Sequence, residues 1–353
     1  MGIRNDVFGL EQIYQLQIEG NWSVKSDVWL SPSPFFQSWD YGYFGGGFSP
    51  NRSTVDRIDY SNDTATASVK GPLSAARRYL AATGNQSYGY FGGGRISTQV
   101  STVDRIDYSN DTATASPKGP LSANKELGSS ATGNSSYGYF SGGYPNTSVV
   151  DRIDYSNDTA TASPKGPLSV ARYGLAATGN SSYGYFGGGD PGPFSTVDRI
   201  DYSNDTTTAS PKGPLSVARS NFAATGNSSF GYFGGGNAAP LSTVDRIDYS
   251  NDTATASPKG PLSLARYVLT ATGNSSFGYF GGGHPALSTV DRIDYSNDTA
   301  TASVKGSLSQ GRYGLAASSA KANAITDLTL LPALSDQRPN VVPQGTDFGY
   351  FAG

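Results

Sequence analysis

YGYFGGG, at Tyr41–Gly47, is followed closely by DRIDYSND, at Asp56–Asp63, and the two strings recur together along the chain. The Tyr-Phe pair of Tyr43-Phe44 returns at Tyr90-Phe91, Tyr139-Phe140, Tyr185-Phe186, Tyr232-Phe233, Tyr279-Phe280 and Tyr350-Phe351. DRIDYSND begins again at Asp104, Asp151, Asp198, Asp245 and Asp291. The chain of 353 residues is therefore six copies of one unit of about 47 residues, with atypical ends. A fixed period of this length marks a repeat architecture and overrides any count of domains from length.

Residues 170–210 illustrate one unit. Leu175-Ala176-Ala177 is short and small, and Thr178-Gly179-Asn180-Ser181-Ser182 is turn chemistry. Tyr183–Phe186 is aromatic and predicts a strand, broken by Gly187–Gly189 and Asp190–Pro193. Thr196–Tyr202 alternates, with Ile200 and Tyr202 on one face and Arg199 and Asp201 on the other. Ser203–Asp205 reads as a hairpin turn and Thr206–Ser210 as a Thr-rich strand ended by Pro211-Lys212-Gly213-Pro214. Four short strands per unit predict an all-β propeller, because one blade buries its faces only against neighbours and a ring also protects the edges. The small LAATG segment fits the crowded innermost strand. The paired glycines ending the aromatic strand (Gly45-Gly46, Gly92-Gly93, Gly187-Gly188) allow close backbone approach and unusual dihedrals.

Composition agrees. Charged residues are only 15% and glycines number 45, which suits strands and turns. No run of 18 apolar residues predicts a membrane span, and MGIRNDVFGLEQ does not read as a secretory signal. A net charge of −3 with no basic stripe argues against nucleic acid as partner. With no Cys, the fold rests on burial and hydrogen bonds, without disulfides or thiol chemistry.

The diglycine-terminated strand, variable loop, Tyr-terminated strand, Asn/Asp turn, Pro-containing link and following Arg resemble the kelch repeat. That resemblance covers about residues 41–318 and implies structural roles for the glycines and for Arg77, Arg172, Arg219, Arg266 and Arg312. Kelch units usually carry a Trp in the fourth strand, where this chain has Ala67, Ala115 or Ala162. One unit also departs from the pattern, with Lys125 in the Arg position and Ser141 for the first glycine. The wording STVDRIDYSNDTATASPKGPLS with YGYFGGG, and GNWSVKSDVWLSPSPFFQ near the start, is similar to repeat-bearing tail-associated or tail-fibre-like virion proteins of phages infecting cyanobacteria. That similarity implies an extracellular tail or surface-appendage protein, working in a homo- or hetero-oligomeric assembly.

Three segments are expected: 1–40 as an anchor or closing segment, 41–318 as the repeats, and 319–353 as an excursion and closing strand. Asp347–Gly353 repeats the aromatic strand, and Ile13–Trp22 alternates, so the two ends together would supply a seventh blade. Residues 7–19 also read as a helix capped by Asp6 and ended by Gly20, which would make 1–40 an anchor.

Catalytic residue types are scarce. The one His, His284, precedes Pro285 and reads as an exposed loop residue. Asp59–Thr64 spaces oxygen ligands as calcium loops do, but no Glu closes it and a turn explains it. The recurring Asn-X-Ser/Thr strings coincide with predicted turns. Asp56 and Asp59 form a carboxylate pair that would suit a polysaccharide-acting enzyme, yet the pair recurs identically in every unit, as a scaffold does. No metal or cofactor is expected. Differences between copies are more informative. The loops after Gly-Gly and the residues after the Arg (Arg78-Tyr79, Tyr173-Gly174, Ser220-Asn221, Tyr267-Val268) vary, and up-and-down topology puts both on one face. Candidate binding residues there are Phe48, Arg95, Tyr144, Asp190, Phe194, Asn237, Leu241 and His284. The expected function is a non-enzymatic structural protein contacting other tail proteins or a host-surface glycan. The alternatives are repeats stacked in line as a fibre shaft, or the polysaccharide enzyme.

Overall fold

The computed structural model describes residues 40–126, 130–237 and 239–320. Their strands form six four-stranded antiparallel sheets, each one blade of a β-propeller. In blade 4 the strands run from the centre outward as Ala176–Gly179, Tyr183–Gly187, Val197–Asp201 and Ser210–Lys212. The registers repeat from blade to blade; Tyr185, for example, faces Arg199.

The expected seven blades are corrected to six among the described residues. Blade 1 takes Tyr41–Gly45, Val55–Asp59 and Ser68–Lys70 from the start of the repeats and its inner strand, Ala316–Ser319, from their end. The register runs from Gly42 opposite Ser319 to Gly45 opposite Ala316. The last small-residue segment thus supplies the one strand that the first unit lacks, and the described repeats close without a further blade. They form a ring, not an in-line shaft. The expectations for residues 1–39, including the helix or strand at 7–19, and for the strand at 347–353 lie outside the described residues.

Neighbouring blades meet through aromatic rings. Tyr43 stacks on Tyr108 at 4.9 Å, and equivalent stacks join Tyr90–Tyr155, Tyr139–Tyr202, Tyr185–Tyr249, Tyr232–Tyr295 and, across the closure, Tyr279–Tyr60. Each such pair contributes about 0.5–1.5 kcal/mol beyond the area it buries. The first glycine of the triplet makes room for the next blade's Phe: a Cβ at Gly45 would lie 2.8 Å from Phe91 Cε1.

A charged contact accompanies each stack. Asp205 accepts from Tyr139 Oη at 2.9 Å and from Arg152 at 2.7 Å, both on the preceding blade, with Lys165 at 3.8 Å. The same trio recurs at the closure, where Asp63 takes Tyr279, Arg292 and Lys305. Burial, then Asp205, pushes the Tyr139 hydroxyl pKa well up.

Two local expectations are corrected. Tyr-Ser-Asn is a 3-10 turn, not a simple hairpin turn; Asp201 caps Tyr202–Asn204 by accepting from the Ser203 N–H at 2.9 Å. The outer strand is Ser210–Lys212, not Thr206–Ser210, and it contains Pro211. Lys305 N donates to Val290 O, so the position between it and Ser303 directs its N–H at the open edge. Proline there forfeits no ladder bond and blocks edge pairing. Blades 1 and 6 carry Val69 and Val304 instead, each 60% exposed.

Ala67 is buried where backbone meets backbone between blades. Ala67 N donates to Ser307 O of the adjacent blade at 2.9 Å, and a Cβ at Gly306 would lie 1.8 Å from Ala65 O.

Candidate functional site

The core arginines fix the base of the variable face. Arg77 is fully buried and reaches Asp104 Oδ2 at 3.0 Å and the Phe91 carbonyl at 2.9 Å. Burial lowers its pKa, opposed by Asp104. Arg172, Arg219, Arg266 and Arg312 repeat the arrangement with Asp198, Asp245, Asp291 and Asp56. Lys125 substitutes in blade 3, with Nζ 3.2 Å from Asp151.

Each Arg carbonyl holds a loop. Gly46 and Gly47 take φ of 71° and 110°, a turn open to glycine, and the Gly47 N–H donates to Arg77 O at 2.9 Å. Gly93-Gly94 and Gly188-Gly189 occupy the same places in blades 2 and 4, also at positive φ, while Gly92 and Gly187 end their strands as Gly45 does. The chain then pairs the residue after the triplet with the residue after an Arg, or after Lys125 in blade 3. The pairs are Phe48–Tyr313, Arg95–Arg78, Tyr144–Glu126, Asp190–Tyr173 and His284–Tyr267, and Asn237 N donates to Ser220 O in blade 5. Two variable side chains per blade thus stand side by side on an invariant frame.

The sectors differ. Across blades 6, 1 and 2, His284 lies 4.8 Å from Tyr267 and 5.2 Å from Tyr313, which lies 5.4 Å from Phe48 and 6.4 Å from Tyr79 (ring centroids). The Arg78 guanidinium covers Phe48 at 4.3 Å. Burial and Tyr313 push the Tyr79 hydroxyl pKa up, with Arg78 opposing. These side chains are half-buried, so His284 sits between two tyrosines and is not the fully exposed loop residue expected. Elsewhere Arg95 is neutralised by Glu126 at 3.0 Å, and Tyr144 meets Tyr173 edge-on at 5.7 Å.

Of the residues singled out from the sequence, Phe48 and His284 come together in this aromatic belt. Arg95 borders the belt, paired with Arg78, and Tyr144, Asp190 and Asn237 occupy other sectors. Phe194 and Leu241 stand apart from the ring of pairs, their carbonyls receiving the Arg219 and Arg266 N–H groups. Sequence reasoning put Arg78-Tyr79 and Tyr267 among the variable residues of this face but did not select them, Arg52 or Tyr313 as binding residues. The signal for Arg78, Tyr79, Tyr267 and Tyr313 was their place one or two residues after the repeated Arg.

The belt has a floor. Tyr79 N donates to Gly314 O, Gly314 N to Val268 O, Val268 N to Asn221 O and Asn221 N to Gly174 O, at 2.6–2.9 Å, all five residues having positive φ. This chain of peptides narrows the mouth of an alanine-lined channel of about 110 Å³. Among the described residues no carboxylate, imidazole or amine lines that channel.

The repeated carboxylates are engaged in the frame. Asp56 is fully buried against Arg312, and Asp59 accepts from Ser61 N and Oγ. Among the described residues no cluster of His, Asp or Glu is arranged to hold a metal ion. No known protein-family model matches the chain, and no curated protein matches it.

Proposed function

We propose that this chain is a non-enzymatic contact module, a component of a phage tail or surface appendage, whose variable face binds a host-surface glycan or a neighbouring tail protein. The placement on a virion, and the finer description of the repeats as kelch-like, rest on the resemblance of the repeated wording. The observation that carries the binding reading is the aromatic belt of Tyr267, His284, Tyr313, Phe48 and Tyr79, continuous over three blades. Half-buried rings held by neighbours present flat apolar faces at small entropic cost, and phenol and imidazole groups supply hydrogen bonds at the rim. That combination suits the C–H face and hydroxyls of a pyranose. The glycan is the favoured ligand for this reason. The test is binding of the purified chain to host-surface polysaccharide and to purified tail proteins, compared with Tyr313→Ala. Saturable glycan binding weakened at least tenfold by the substitution is expected. Failure to bind either class of partner would refute the reading.

A further inference from the structure

Every Lys and Arg among the described residues forms an ion pair except Arg52 and Arg78. The two exceptions are neighbours. Arg77 N donates to Arg52 O at 3.0 Å, and both guanidinium groups are held by one loop, Phe48–Arg52. Arg52 Nη2 donates to Ser49 O at 3.0 Å, and its Nε is buried without a partner. Arg78 Nη1 donates to Asn51 Oδ1 at 2.9 Å while its plane lies over Phe48. Asn51 is fixed in turn by donating to Ile96 O at 2.9 Å.

We infer that this corner of the belt is an anion subsite, and that the glycan recognised there carries a carboxylate: an acidic pyranose whose apolar face stacks on the aromatic rings while Arg78 and Arg52 hold its carboxyl group. The inference rests on the glycan reading above and deepens it. In a chain that matches its other described cations with carboxylates, two arginines left over beside the aromatic belt are positive charge available to a ligand. A guanidinium stacked on an aromatic ring keeps its N–H edge in plane for a bidentate acceptor. A neutral sugar leaves both charges unanswered, and an acidic peptide does not use the breadth of the flat aromatic surface.

The test is calorimetric titration of the full chain with an oligogalacturonate and with the same oligosaccharide after reduction of its carboxyl groups. The acidic form is expected to bind at least tenfold tighter, with affinity falling as salt rises. Arg78→Gln and Arg52→Gln should remove that preference while thermal unfolding stays near that of the parent chain, since neither residue holds an ion pair in the fold. Tyr313→Ala should weaken both ligands. Equal affinity for the two forms, or an acidic preference unmoved in both arginine variants, overturns the inference and leaves the glycan reading standing. Binding of a glutamate-rich peptide with no binding of either sugar overturns both.

Discussion

Alkaline pH should open the ring abruptly. Twelve tyrosines form the six interblade stacks, and burial raises the pKa of every one above its ordinary value of 10.0, with neighbouring carboxylates adding to the rise at Tyr43, Tyr90, Tyr139, Tyr185, Tyr232 and Tyr279. In the unfolded chain these phenols ionise near pH 10. A pKa raised by folding gives stability that is complete below the unfolded value and is lost as pH climbs past it. By that linkage each tyrosine withdraws about 0.8 kcal/mol at pH 10.5 and about 1.4 kcal/mol at pH 11. Twelve together withdraw about 10 and then about 17 kcal/mol, against a folding free energy of about 5–15 kcal/mol for a typical domain. Unfolding is therefore expected in a narrow interval between about pH 10 and 11. The assay follows phenolate absorbance and near-ultraviolet circular dichroism in one titration. The account requires a cooperative burst of ionisation coincident with loss of the dichroism. Gradual ionisation of all tyrosines through pH 10 with the dichroism intact would refute the buried stacks.

Two aspartates of one turn should differ sharply. Asp205→Ala strands Arg152 and Tyr139 on the preceding blade and should cost about 3–5 kcal/mol, whereas Asp201→Ala removes only a local cap worth about 1 kcal/mol; denaturant midpoints compare them. Gly213→Ala should prevent folding, because its Cβ would lie 1.8 Å from Ala254 O, while Gly192→Ala, with φ of 70° and nothing within 4 Å, should cost about 1 kcal/mol, as soluble yield and melting temperature will register. Val69→Pro and Val304→Pro copy the other blades and should hold or raise the melting temperature, while a fall of several degrees would contradict the outward N–H.

The blade was legible because period and alternation are local. YGYF, VDRID and the Gly triplets declare strands and breaks without help from tertiary structure. The blade count was not, because Asp347–Gly353 resembles a strand in isolation, and only the pairing of Ala316–Ser319 with Tyr41–Gly45 shows that the ring is already complete. The outer strand was misplaced by two residues or more because proline reads as a strand breaker, yet here it occupies the one position whose N–H makes no ladder bond. Asp205 and Asp201 look alike in DYSND; which one crosses to the preceding blade depends on where Arg152 lies, some fifty residues away. The common face of the variable loops followed from topology. The belt did not, because it needs the pairing of loop with link, Phe48 with Tyr313 and His284 with Tyr267, that only the folded blade brings about.

Closure of the ring is the claim on which the single face depends, and a double-mutant cycle on Arg292 and Asp63 tests it most directly. That pair joins the last blade to the first at 2.7 Å, as Arg152 and Asp205 join two interior blades at 2.7 Å. The two cycles should return the same coupling energy, about 1–3 kcal/mol. A coupling near zero at Arg292–Asp63, with the interior coupling intact, would mean that the blades do not close.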